Sequence, residues 1–212
     1  GGTGNDVTLT RIPGPGQIAS GQVTTFAGSS QGNANGIGTA ARFSGYLYGL
    51  TVDSSDNTYV VDNGNSIVRK ISSNGLVTNV DFTSGYMGDY HRITVDASGN
   101  LYVSDVMQDC VRKFAPDGTM TLIGQGALRD PAGMVVDRLG NLHVADPGNG
   151  GIRTFNSSGQ LIQDFRGGDW FYPVGLALDA SGDLAYMVDA GNAQIWRLKN
   201  YGLLAGASNN LS

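Results

Sequence analysis

The chain has 212 residues, 33 of them Gly, and a net charge of −5 made up of 18 Asp, 10 Arg and 3 Lys, with no Glu at all. That Gly content, together with abundant Asn, Ser and Thr, excludes a largely helical protein. It suits many short strands joined by tight turns, because Gly and Asn accept positive φ at little cost. The acidic balance opposes the phosphates of a nucleic-acid partner, and no run approaches the roughly 18 apolar residues of a membrane-spanning helix.

The length fits one all-β domain with a substantial core. Residues 1–28 alternate in DVTLTRI, break at Pro13-Gly14-Pro15-Gly16 and resume in QVTTFAG, which predicts N-terminal strands without a full repeated unit. The start, GGTGNDV, reads as a processed or trimmed end. Residues 29–48 form a long polar connection with a single helical turn expected around Thr39 to Phe43 and aromatic residues at its exit.

Four repeated units then follow, at about 45–80, 91–124, 131–165 and 172–206, in the segment 29–212. A first Asp recurs at Asp53, Asp96, Asp137 and Asp179, with spacings of 41 to 43 residues, and a second at Asp62, Asp105, Asp146 and Asp189. Each unit reads as a strand (LTVD, ITVD, MVVD, LALD), a turn, a second strand (TYVVD, LYVSD, LHVAD, LAYMVD), another turn and a third strand (SIVRKI, DCVRKF, GGIRTF, AQIWRL). A Gly at Gly75, Gly118 and Gly159 introduces a fourth strand; Gly202 is followed only by LLAG and a polar tail. The last unit has one extra residue between its two Asp positions, which predicts a bulge. A single meander of this kind cannot bury both faces, so successive copies must pack face to face about an axis, the logic of a propeller.

The pattern apolar-x-Val-Asp, Gly-Asn-Leu-Tyr-Val-x-Asp, x-Gly-Asn and Ile-Arg-Lys-Phe resembles the NHL repeat, over roughly residues 22–202. The stretch VTTFAGSSQGNANGIGTAARFSGYLYGLTVD resembles the long connection of bacterial, secreted members. The resemblance implies an all-β propeller of four NHL-like repeats plus N-terminal strands. It is either four-bladed, with strand 22–27 completing the last blade as its outer strand, or part of a larger propeller, since the family usually has six blades. Closure within the chain is the preferred expectation, because an open propeller exposes apolar faces and strand edges.

The repeated Asp residues invite a Ca²⁺ reading. Each ends a strand just before a Gly or Asn turn, however, where a carboxylate accepts backbone N–H groups, so a structural role is expected and no metal ligand or cofactor is assigned. Arg69, Arg112 and Arg153 share one slot and are expected to pair with Asp rather than form a basic stripe for RNA. Cys110 is the only cysteine, so no intramolecular disulfide forms, and it reads as a packed strand residue. His91 and His143 occupy unrelated positions and do not reproduce the zinc site of lyases that share the resemblance; lactonases of similar shape rely on a Glu that is missing here. No catalytic residue is assigned.

The connections leading into each unit carry the functional expectation. They hold Tyr46 and Tyr48, then Tyr86 and Tyr90, then Arg129, then Trp170 and Phe171, and in a propeller they emerge together on one face near the axis. Aromatic residues with a polar tip stack on sugars and anchor proteins. Phe43 and Tyr172 are expected instead to fill an apolar slot between blades. The reading is a secreted or cell-surface binding or assembly module for a protein, envelope polymer or glycan, without nucleic acid. The other readings are a metal-dependent hydrolase or lyase of the propeller type, and an extracellular structural subunit that stacks through unpaired strands near Thr10 or Val23. The triplets at Asn156 and Asn210 fit a glycosylation pattern.

Overall fold

The computed structural model describes residues 7–9, 21–80, 90–166 and 171–198, with side chains described at 24–80, 92–166, 171–183 and 186–198. Strands β1 (Val7–Leu9) and β2 (Gly21–Val23) pair antiparallel with each other. The first blade holds β3 (Gly36–Ile37), β4 (Leu47–Val52), β5 (Thr58–Asp62), β6 (Ile67–Ile71) and β7 (Leu76–Val80) in the order β3-β7-β6-β5-β4. The second holds β8 (Tyr90–Val95), β9 (Leu101–Asp105), β10 (Cys110–Phe114) and β11 (Met120–Ile123), each paired with the next. The third runs through β12 (Met134–Val136), β13 (Leu142–Asp146), β14 (Gly151–Phe155) and β15 (Leu161–Arg166), and the fourth through β16 (Pro173–Leu178), β17 (Leu184–Asp189) and β18 (Gln194–Arg197).

Each blade is an antiparallel meander, and the innermost strands β4, β8, β12 and β16 lie side by side in chain order. The protein is therefore all-β, with four antiparallel sheets set about an axis as a four-bladed β-propeller. No helix among the described residues is long and apolar enough to cross a membrane.

The first turn of each blade is made by local chemistry. The third residue after the first Asp sits in the left-handed region, as Gly99, Gly140 and Gly182 at φ of 81°, 81° and 78°, with Asp56 at 60° in the first blade. This geometry lets the N–H of Gly99 and of Gly140 donate to the carbonyl three residues back, at 3.0 Å in both. In the fourth blade the predicted bulge is present: Ala177 pairs with Tyr186 but Leu178 with Leu184, which leaves residue 185 out of register. The expected helical turn is a short 3₁₀ turn at Gly38–Ala40, a little earlier than expected.

The core lies between blades. Tyr59, Val61 and Val68 of the first meet Ile93, Leu101, Val103 and Phe114 of the second. Tyr102, Val111 and Ile123 meet Met134, Leu142, Val144 and Phe155 of the third. Ile152 meets Met187 of the fourth, with Val135, Phe165, Leu176 and Leu178 against them. A further cluster of Ala41, Phe43, Val60, Ile71 and Val77 covers the other side of the first blade with the long connection.

The N-terminal expectation differs from what is observed. Val23 pairs with Val7, so the start of the 22–27 stretch is joined to β1 and not to the outer edge of the last blade, whose described sheet ends at β18. The pairing favours the nearer alternating segment in the chain. It also gives Val23 a strand partner, whereas Thr10 lies outside the described residues.

Candidate binding rim

The repeated carboxylates have two separate jobs. The first Asp of each unit organises its own turn. In Asp53, Asp96 and Asp137 one carboxylate oxygen accepts the N–H groups two and four residues on, at 2.8 to 2.9 Å. The other accepts the side-chain amide of Asn57, Asn100 or Asn141, at 2.8, 2.7 and 2.9 Å. That second oxygen also takes the hydroxyl of Tyr59 or Tyr102, and in the third blade it meets Nε2 of His143, at 3.1, 3.0 and 3.1 Å. Burial works to raise the pKa of these carboxyls, but the surrounding donors outweigh it and hold them below their ordinary value. Burial and the adjacent Asp53 carboxylate push the Tyr59 phenol up to about 12. In the fourth blade Asp179 is bound by the N–H groups of Ser181 and Asp183, at 2.8 and 3.1 Å.

The second Asp is fully buried in all four blades, and in three of them it acts at long range. Oδ1 of Asp62, Asp146 and Asp189 accepts the N–H of Ser44, Arg129 and Tyr172, at 3.0, 2.7 and 2.9 Å, and so pins the connection that enters the blade. The same carboxylates take Asn65, Asn149 and Asn192 from the following turn, at 2.9, 2.8 and 2.7 Å. Buried Arg69, Arg112 and Arg153 complete the hubs at 3.3, 2.8 and 2.7 Å, so these arginines are internal partners and form no basic stripe. Trp196 replaces the arginine in the fourth blade.

These hubs fix which residues face inward. The residue just before each pinned N–H is buried: Phe43, Leu128 and Phe171. The guanidinium of Arg69 lies 5.0 Å from the centre of the Phe43 ring. Phe171 packs edge-on against Phe165 and Trp196, with ring centres 5.9 and 6.2 Å apart. The apolar slot of the fourth blade therefore belongs to Phe171, which was expected on the binding face, and Tyr172, expected in the slot, is exposed. The correction follows from spacing: the pinned residue lies 17 positions before Asp146 and Asp189, and 18 before Asp62.

What remains outside forms a rim. Tyr46, Arg129 and Tyr172 follow the buried slot in their blades and are exposed. Their carbonyls accept N–H groups of the turn after the second Asp, from Asn63, Gly148 and Ala190 at 3.0, 3.1 and 2.9 Å. Equivalent backbone contacts in three blades thus bring these side chains to the same end of the propeller. Tyr48 is half-exposed on β4. Tyr90 opens β8, opposite Asp105, but its side chain lies outside the described residues, as do Tyr86 and Trp170. At the opposite end, Asn100, Thr119 and Ser158 line a groove of about 310 Å³ between the outer parts of the second and third blades. Among the described residues no group of three or more His, Cys or Asp side chains is arranged to hold a metal.

Among solved structures the chain is similar to a streptogramin B lyase, at 15% identity, with 73% of this chain on 51% of that one and a TM-score of 0.64. It is similar to a chain of a nidogen/laminin complex at 24% identity, with 70% on 59% and a TM-score of 0.60. A protein of unknown function from Bacteroides thetaiotaomicron is similar at 19% identity, with 84% on 50% and a TM-score of 0.61. No family model and no curated protein sequence matches the chain. The chain spans about half the length of these structures. The neighbours are β-propeller proteins, and the likeness is one of fold.

Proposed function

We propose that the chain is a binding module of the NHL-repeat type, working outside the cell or at its surface, and that it holds a protein or glycan on the rim of Tyr46, Arg129 and Tyr172. The observation that carries this reading is the division of labour at each pinned connection. One residue is buried, and a side chain with a polar tip is left in solvent after it: Arg129 and Tyr172 directly after the buried residue, Tyr46 three residues after Phe43. Tyrosine and arginine supply large, partly apolar contact area together with hydrogen-bonding tips, the composition found at the centres of interfaces. A flat aromatic ring also stacks on a sugar face. Tyr86, Tyr90 and Trp170 belong to the corresponding connections in the sequence, and the proposal extends to them. A protein partner gains support from the similar fold in a nidogen/laminin complex. The absence of Glu and the small Lys count agree with an extracellular setting.

The test compares the chain with a Tyr46→Ala/Tyr172→Ala variant on a glycan array and on immobilised laminin. Binding that disappears in the variant while its melting temperature stays unchanged supports the rim. Binding of equal strength in both proteins, or none by the wild type on either surface, refutes it.

A further inference from the structure

Every seam between consecutive blades uses the same pair of faces. The side turned to the next blade presents the residues three and one before the second Asp and the sixth residue after it. In the first blade these are Tyr59, Val61 and Val68, all buried, and their equivalents in the second and third blades are buried as well. The side turned to the previous blade presents the residues three and one before the first Asp, such as Ile93 and Val95 on β8, which pack into the first seam.

Among the described residues two faces with this composition are exposed, and they stand at opposite ends of the array. In the fourth blade the forward positions are Tyr186, Val188 and Ile195, with exposures of 42%, 43% and 76%. In the first blade the backward positions are Leu50 and Val52, with exposures of 64% and 52%. Val60, beside Leu50 on the same face, is already covered by Ala41 and Phe43, so the opening lies along the inner strand. The chain thus carries one complete seam as two separated halves. Adjacent apolar side chains exposed in this way mark an interaction surface.

We propose that the occupant is a second copy of this chain, joined head to tail, so that Val188 and Ile195 of each copy pack on Leu50 and Val52 of the other and two copies complete one ring of eight blades. The packing chemistry is that of the internal seams, where valines on one side meet Ile93 on the other. The four blades superpose on only part of longer propellers, 51% of one chain and 59% of another, so they follow an arc of a longer turn. A two-fold rotation about the propeller axis closes that turn and buries both seams at once, and a head-to-tail contact that closes gives a finite ring. Eight blades lie within the roughly four to eight that propellers accommodate. The assembly sets the rims of both copies on one side of the ring.

The experiment uses the 212-residue chain itself, whose mass is 22.1 kDa, in sedimentation equilibrium up to high micromolar concentration. The wild type is expected as a dimer. Leu50→Asp and Ile195→Asp are each expected as folded monomers with the circular dichroism spectrum of the wild type, melting somewhat earlier because the dimer's contribution is lost, since both side chains are exposed within one chain. An equimolar mixture of the two variants is expected to recover a weaker dimer, because one of its two seams pairs wild-type halves. A wild-type monomer, an open ladder of oligomers or a mixture that stays monomeric overturns the proposal. A Leu50→Cys/Ile195→Cys variant reads the contact without relying on charge. Oxidation into a covalent dimer supports the two-copy ring, and a bridge within one chain overturns it by showing that the four blades close on themselves.

Discussion

Replacing Asp146 by Ala tests whether the second carboxylate is the fastening of a blade. The change removes three acceptor contacts at a fully buried site: the Arg129 N–H at 2.7 Å, the Asn149 amide at 2.8 Å and the Arg153 guanidinium at 2.7 Å. Arg153 keeps only the two longer contacts to Asp164, at 3.3 and 3.4 Å. Breaking a buried ion pair from one side costs about 3–5 kcal/mol, mainly because the remaining charge is left under-compensated. Asp137→Ala makes a contrasting control. Its lost partners are turn N–H groups and the Asn141 amide, which water can satisfy, together with Nε2 of His143, so the cost is about 1–2 kcal/mol. Adding Arg153→Met to Asp146→Ala removes the stranded charge and is expected to recover part of the loss. Urea unfolding followed by far-ultraviolet circular dichroism measures all three. The reasoning fails if Asp146→Ala and Asp137→Ala cost the same within about 0.5 kcal/mol, or if the added Arg153→Met deepens the loss.

Two further outcomes follow from the buried titratable groups. Burial lowers the pKa of His143 below its ordinary 6.5, and the Asp137 carboxylate offsets this only in part. A group depressed in the folded state contributes stability that is complete above its unfolded pKa and is lost as pH falls through the folded one. Stability is therefore expected to decline as the pH drops below about 6.5. His143→Tyr, which installs the residue found at Tyr59 and Tyr102, should remove the His143 contribution to that decline and leave the acid loss from the depressed carboxyls, Asp53, Asp96 and Asp137 among them, below their ordinary 3.8. An unchanged profile in unfolding free energy against pH contradicts the assignment. Cys110 is buried, and burial together with the Asp105 charge pushes its thiol up to about 11. It should resist an aromatic disulfide reagent in the native protein and react only as the protein unfolds; rapid labelling of native protein refutes this.

What could be read from the residues depended on the range of the interactions. The turn role of Asp53, Asp96 and Asp137 is legible because every partner lies within six residues, and the bulge before Asp189 shows as one surplus residue. The blades themselves follow from strand-and-turn spacing repeated in register. The hub at Asp189 is a different case, since its decisive contact is with a backbone N–H 17 residues upstream. Without that contact, two adjacent aromatic residues compete for one slot, and the sequence alone favours Tyr172 where the structure places Phe171. Counting back equally from Asp146 and Asp189 is the signal that distinguishes them. The pairing of β2 with β1 was likewise hidden, because alternation marks a strand but leaves its partner open. Nor does composition distinguish the exposed Ile195 from the buried Val68, since both follow the same motif and differ only in having a neighbour.

The central claim is that the repeated carboxylates build the blades while the exposed rim does the binding. One measurement on three proteins addresses it: binding to the glycan array and laminin surface, normalised to folded protein, for the wild type, Tyr46→Ala/Tyr172→Ala and Asp137→Asn. The account predicts that the rim variant loses binding at an unchanged melting temperature, and that Asp137→Asn melts earlier yet binds as the wild type does. Loss of binding in Asp137→Asn with the rim variant still binding would contradict it.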